Sequence, residues 1–309
     1  MDKINPKWTV SGGFVFHDFL LNDDRNLKSY LDLNQSLVTS VYDSFFGLKW
    51  NGGRVCAPKN TISMAAADNI IRAYNDQYIG FNFTFTNLLL TEEDLKDDYC
   101  NLLLERLTED PRNGVIVASE TLMNYIKAQY PNLRMILSVT ANPSLTAEQY
   151  NKICETGDVE RVVLHPDFNH DLAFLQQLKY PKKIEVMAND KCVYGCPYRR
   201  EHYLDLSKKN LHFATSPIIH TRADLDGAAT CSFDVGNPNC HMVRAGYTRD
   251  SRNILTHADM DNLRNMGFEN FKLIGREYSL DAYKEEYDVF VKRYFMRNLV
   301  KQAGVNVHI

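Results

Sequence analysis

Long apolar runs are missing from this chain: nothing approaches the roughly 20 residues a membrane helix needs, and the opening MDKINPKWTV lacks the apolar segment of a signal peptide. The expectation is a cytoplasmic protein with no membrane partner. Strong charge of either sign is missing too. A net charge of −4 and a pI near 6.1 give no electrostatic footprint for nucleic acid. No glycine-rich phosphate loop follows any strand-like run, which argues against a dinucleotide or P-loop sheet, and neither GxSxG nor HExxH is present to support a hydrolase. Low-complexity tracts and Gly/Ser linkers are absent, so nothing divides the chain into modules. A cytoplasmic setting also argues against a disulfide framework for the seven cysteines, and clustered ones read better as metal ligands or redox groups.

What the sequence does contain is a structural repeat. Runs rich in β-branched and aromatic residues, FVFHDF (14–19), SLVTSVYDS (36–44), IGFNFTFTN (79–87), GVIVAS (114–119), RMILSVTAN (134–142), RVVLHPDF (161–168), KIEVMAND (183–190) and FKLIG (271–275), predict eight strands. Helical patterns lie between them, among them NTISMAAADNIIRAYNDQ, SETLMNYIKAQY and LTAEQYNKICETG, with Ser, Thr or Asn placed as N-caps. Eight such units in 309 residues fit an α/β fold of the (β/α)8 TIM-barrel type, one domain over 1–309. An open doubly wound sheet is the alternative. Residues 191–267 break the rhythm and form an excursion too long to be a plain βα loop.

Barrel chemistry sits at the C-terminal strand ends. There the sequence places Asp43, Asn87, Asn142, His165, Asp167, Asn189 and Asp190, any one of which could instead cap the helix that follows. The tail SLDAYKEEYDVFVKRYF puts Tyr283, Tyr287, Phe290 and Tyr294 on one helical face, as core or an oligomer contact. The excursion carries four of the seven cysteines, Cys192, Cys196, Cys231 and Cys240. Cys100 and Cys154 lie in amphipathic helices and read as packing, while Cys56, after WNGGRV, stays ambiguous. Two thiol pairs, CVYGC and CSFDVGNPNC, could converge on one tetrahedral site holding structural zinc or an iron–sulfur cluster. Neither has the C-x2-C spacing zinc favours. A radical-SAM CxxxCxxC would need its third cysteine where Arg199 stands.

The succession GVIVAS, RMILSVTAN, RVVLHPDF, KIEVMANDKC, a second cysteine, a distal cysteine pair and FENFKLIGR resembles the barrel of the collagenase-like peptidases of family U-32, over roughly 79–278. Despite the family's name, its better understood members are iron–sulfur proteins that hydroxylate RNA bases or the ubiquinone ring without molecular oxygen. The resemblance implies a 4Fe-4S cluster on Cys192, Cys196, Cys231 and Cys240, with zinc the alternative metal, and an oxidoreductase acting on a small-molecule or nucleobase-like substrate, served by an electron donor protein. Peptidase activity and a zinc-stabilised barrel are the competing expectations. PYRREHY replaces the family's glycine- and serine-containing segment after the first cysteine, and YDSFFGLKWNGGR has no counterpart, which marks a divergent branch. Beside the cysteines, His165 and Asp167 are candidate acid–base groups, with His165, Asp167 and His170 a weaker candidate metal triad. Arg276 is a candidate catalytic cation that a substrate carboxylate or phosphate would suit. Asn87, Asn142, Asn189 and Arg199 are candidate substrate contacts.

Overall fold

The computed structural model describes residues 5–33, 35–53, 62–141, 143–215 and 251–302. Eight parallel strands close into a barrel in chain order: β1 (Lys7–Ser11), β2 (Val38–Asp43), β3 (Gly80–Phe85), β4 (Gly114–Val117), β5 (Arg134–Leu137), β6 (Arg161–Val163), β7 (Ile184–Met187) and β8 (Asn270–Leu273), with β1 hydrogen-bonded to β8. Helices alternate with them: α1 (His17–Leu31), α2 (Met64–Asp76), α3 (Asp98–Leu107), α4 (Glu120–Gln129), α5 (Ala147–Thr156), α6 (Leu172–Leu175), α7 (Arg199–Thr215), α8 (His257–Asn265), α9 (Leu280–Tyr287) and α10 (Tyr294–Gln302). The (β/α)8 expectation holds. Ser63, Ser119 and Thr146 cap α2, α4 and α5 through their hydroxyls, and Gln149 completes a capping box with Thr146.

The first strand is not where the sequence pattern placed it. FVFHDF forms a turn and the start of α1, and KWTVS is β1, pairing with both β2 and β8. The apolar spacing of 14–19 has another cause. Phe14 and Phe16 are buried side chains of a loop, Phe14 packing 4.6 Å from Phe81 and Phe16 stacking 4.3 Å from Tyr283. The loop's N–H groups at Phe14 and Val15 donate to the Asp43 carboxylate at 3.0 and 3.3 Å.

Alternation along the strands divides the interior in two. Outward residues such as Trp8, Val10, Phe81, Phe83 and Phe85 meet the helices in one large apolar layer, where each fully buried large side chain contributes about 1.5–3 kcal/mol. Tyr283, Tyr287, Phe290 and Tyr294 are buried in that layer, so the tail is core. Inward residues behave differently. At mid-barrel, Tyr42, Ile116, Ile136, Val163 and Met187 form a smaller apolar plug. Beside it runs a polar chain: Asn82 donates to Ser40 (2.9 Å), Ser40 shares a hydrogen bond with Thr9 (3.1 Å), and Arg161 reaches Thr9 (3.3 Å) and Glu185 (3.1 Å). Lys272 closes it on the other Glu185 oxygen at 3.2 Å. Because β6 and β1 are not neighbours, the Arg161 to Thr9 contact crosses the barrel.

The excursion's helix, α7, follows the CVYGC turn and does not pack on the barrel wall in the usual way. Its first residue touches the β6 and β7 ends, while Ser207 and Asn210 meet the loops after β2 and β3 on the opposite side. The helix therefore spans the C-terminal face. Gly52 makes the crossing feasible: a Cβ there would come within 2.9 Å of the Ser207 backbone. This gives the otherwise unplaced WNGG segment a structural role. Residues 216–250 lie outside the described set; the chain re-enters at 251 and Ile254 bridges antiparallel to Asn189.

Candidate active site

Under the C-terminal face the barrel leaves a cavity of about 80 Å³, lined by Tyr42, Thr84, Ser138, Met187, Lys272 and Arg276 among others. Arg276, three residues past β8, lies 3.4 Å from the Thr84 hydroxyl and 3.8 Å from Asp43 Oδ1, and meets Glu277 at 3.1 Å. Burial raises the Asp43 carboxyl above its ordinary range, opposed by Arg276 and by the N–H groups of Phe14, Ser44 and Val15. Lys272 has its ammonium 4.0 Å from the centre of the Tyr42 ring. Burial alone would raise Glu185, but Lys272 and Arg161 hold it below the ordinary glutamate range.

The second feature of this face is the CVYGC turn. Cys192 and Cys196 are partly exposed and neither is in a disulfide, whereas Cys100 and Cys154 are buried in α3 and α5, as their helical context predicts. Burial pushes the Cys100 thiol well up, and the Cys154 thiol up to about 11, which makes both inert. Gly195 adopts φ +63°, a left-handed conformation that suits glycine.

Three side chains from outside pin the backbone of this turn. Asn253 donates to the Cys192 carbonyl (2.8 Å), Arg199 donates to the Val193 carbonyl (2.8 Å), and Asp167 accepts the Gly195 N–H (3.0 Å). The pins are themselves tied together. Arg199, 3% exposed, meets Asp167 at 3.0 Å and Asp190 at 3.5 Å. Burial works against the Arg199 charge, yet Cys192, Tyr203, Asp190 and Asp167 hold its pKa above the usual arginine value. Asp167 is raised by its burial, with Arg199, Gly195 and Asn253 pulling the other way.

The remaining predicted residues fall in several places. His165 is buried at the β6 end, its Nδ1 accepting the Asp167 N–H at 3.3 Å and lying 3.6 Å from Asp167 Oδ2. His170 instead faces Asp259 at 3.8 Å, so the triad suggested by HPDFNHD does not assemble. Asn189 brackets the Ile274 backbone with both amide atoms and reaches Glu286. Asn87 ties the Asn51 and Ser207 carbonyls. Asn142, Cys56, Cys231 and Cys240 lie outside the described residues. Lys272, Glu185, Arg161 and Asn253 escaped the sequence analysis. For the first three a signal existed: a charge at an inward position of an otherwise apolar strand.

Among the described residues no group of three or more His, Cys, Asp and Glu side chains is arranged to hold a metal ion. Cys192 and Cys196 are two free, partly exposed soft donors on one turn beside the buried Arg199, residue types that suit a soft metal. No helix among the described residues is long and apolar enough to cross a membrane.

No family model and no curated protein matches the sequence. Among solved structures, that of the U32 peptidase Mk0906 superposes with a TM-score of 0.55 at 13% identity, covering 89% of this chain and 94% of that one. The chain shares the fold of that U32 peptidase structure.

Proposed function

We propose that this chain is an enzyme of the C-terminal barrel face in which Cys192 and Cys196, with Cys231 and Cys240, hold an iron–sulfur cluster for redox modification of a small molecule, such as oxygen-independent hydroxylation. The observation that supports it is the pinned cysteine turn. A buried arginine between two carboxylates adds little or nothing to net stability, and the turn itself contributes no core. Three side chains nevertheless fix its backbone and leave both thiols accessible, an arrangement suited to ligand positioning. When bound, a cluster supplies single-electron transfer. The chain's own residues do the rest: Arg276, Lys272 and Glu277 line the cavity, Asp43 and Glu185 hold the two cations in place, and α7 crosses the face above them. An electron donor protein is the partner such chemistry calls for.

Anaerobic purification followed by metal and sulfide analysis tests this. The expected preparation is brown, with about four irons and about four sulfides per chain. Stoichiometric zinc would replace the redox proposal with a zinc-stabilised barrel, and a metal-free protein would end both. Peptide cleavage is the second function to be weighed, because a similar solved structure is described as a peptidase. Cleavage that survives replacement of Cys192 and Cys196 would favour it.

A further inference from the structure

We infer that a second cavity on the C-terminal face, between α7 and the loops after β4 and β5, binds a free α-amino acid with an aliphatic side chain, its carboxylate on Arg200 and its ammonium on Glu120. This cavity shares no lining residue with the one beside Arg276 and takes nothing from the cysteines, so it stands apart from the proposed cluster. Its volume of about 260 Å³ is the room of about nine waters at about 30 Å³ each, just below the range of drug-sized ligand sites. That suits one small molecule. The α4 start supplies Glu120 and Thr121, α7 supplies Arg200 and Leu204, and the loops after β3 and β5 supply Leu90 and Thr140. Arg200 and Glu120 are exposed, and so form the rim, whereas Thr140 is 1% and Leu90 6% exposed.

Among the described residues of the lining, Arg200 and Glu120 are the only charged groups, one of each sign. Neither has an ion pair, side-chain hydrogen bond or ring contact among the described residues. The neighbour of Arg200 sets where it stands: Arg199 is buried and tied to Asp167 at 3.0 Å and Asp190 at 3.5 Å, which fixes the start of α7 over the cavity. Two opposite charges that line one opening without closing on each other select against ions of a single sign. An anion drawn by Arg200 meets the Glu120 carboxylate, and a cation meets the reverse. A zwitterion satisfies both. Guanidinium grips a carboxylate in a two-pronged contact. The Thr140 hydroxyl donates to Ser138 at 2.9 Å, which leaves its oxygen lone pairs for an ammonium. Leu90, Ala118 and Leu204 receive an aliphatic side chain. Inorganic phosphate is the competing ligand, because α4 starts here, and the Glu120 carboxylate in the first turn of α4 opposes it.

The test is a ligand-observed NMR titration of the full chain with leucine, leucinamide, N-acetylleucine and inorganic phosphate. Leucinamide lacks the carboxylate, and N-acetylleucine lacks the ammonium. Leucine is expected to saturate and to bind at least about threefold more tightly than either, a margin kept small by the exposed rim. Arg200→Gln should abolish the margin over leucinamide and keep the margin over N-acetylleucine. Glu120→Gln should do the opposite. Both residues are exposed, so the variants are expected to fold, and each is compared with a parent of matching circular dichroism. No leucine binding by the parent, equal binding of the three leucine probes, or a variant that keeps both margins would each overturn the inference. Phosphate displacing leucine at an equal or lower concentration would overturn the zwitterion class. The titration needs neither metal nor activity. Leucine binding by a metal-free protein would therefore sink the cluster proposal alone, and an iron-loaded protein indifferent to leucine would sink only this one.

Discussion

The mid-barrel charges and the C-terminal face share one architecture and use buried charge in opposite ways. At mid-barrel, Glu185 is shared by Arg161 and Lys272 at 3.1 and 3.2 Å, and the hydrogen-bond chain runs on through Thr9 and Ser40 to Asn82. Its carboxylate is held below the ordinary range. At the face, Asp43 and Asp167 are raised by burial even with Arg276 and Arg199 close by. The first arrangement lowers its carboxyl below the ordinary value, while the second raises its two above it, beside a cavity and a turn that carries two partly exposed cysteines. Strained electrostatics of the second kind concentrate where a fold does chemistry.

Removing a charge should separate the two regions most visibly. Glu185→Leu leaves both Arg161 and Lys272 buried without their shared carboxylate, and a loss of about 3–5 kcal/mol in chemical denaturation is expected, with the cysteine turn unaffected. Arg199→Met leaves Asp167 and Asp190 facing each other and unpins Val193. A smaller loss of about 3 kcal/mol is expected, accompanied by faster proteolysis within 191–198. If Glu185→Leu opened the turn as readily as Arg199→Met, the regions would not be distinct.

A weaker effect, of opposite sign in the two regions, should appear against pH. Glu185 has a folded pKa below its ordinary 4.5, so its stabilisation is present above that value and is lost as pH falls through the depressed one. Asp43 has a folded pKa above 3.8, so the folded state holds its proton more tightly and its contribution declines as pH rises from 3.8 through the raised value. Denaturation between about pH 3 and about pH 7 should show Glu185→Gln with a shallower acid-side loss than the parent. Asp43→Asn should lack the decline on the rising side. Identical pH slopes for the two variants would contradict the assignment.

Much of this was legible in the sequence because barrels obey strong local rules. The period of the strand runs, the caps at Ser63, Ser119 and Thr146, and the apolar helical settings of Cys100 and Cys154 are decided within a few residues. β1 was misplaced because loop phenylalanines 14 and 16 imitate strand alternation, while KWTVS hides its inward Thr9 and Ser11 as ordinary polar residues. The cysteine turn was visible, but its pins were not: Asn253 lies 61 positions from Cys192 and Asp167 lies 28 from Gly195, separations that only the closed barrel brings together. For the same reason Asn87 and Asn189 look like site residues in sequence and serve as braces in the fold.

Cys192 compared with Cys100 tests the central claim most directly. Both variants, Cys192→Ala and Cys100→Ala, would be purified without air beside the parent and assayed for iron, sulfide and protease resistance over 191–198. Cys100 is fully buried packing in α3, so its replacement should cost about 1 kcal/mol and leave the metal in place. Cys192→Ala should lose most of the iron and sulfide and loosen the turn, because ligation and local folding are coupled. A Cys192→Ala protein with the parent's full metal content and protease resistance would contradict the account.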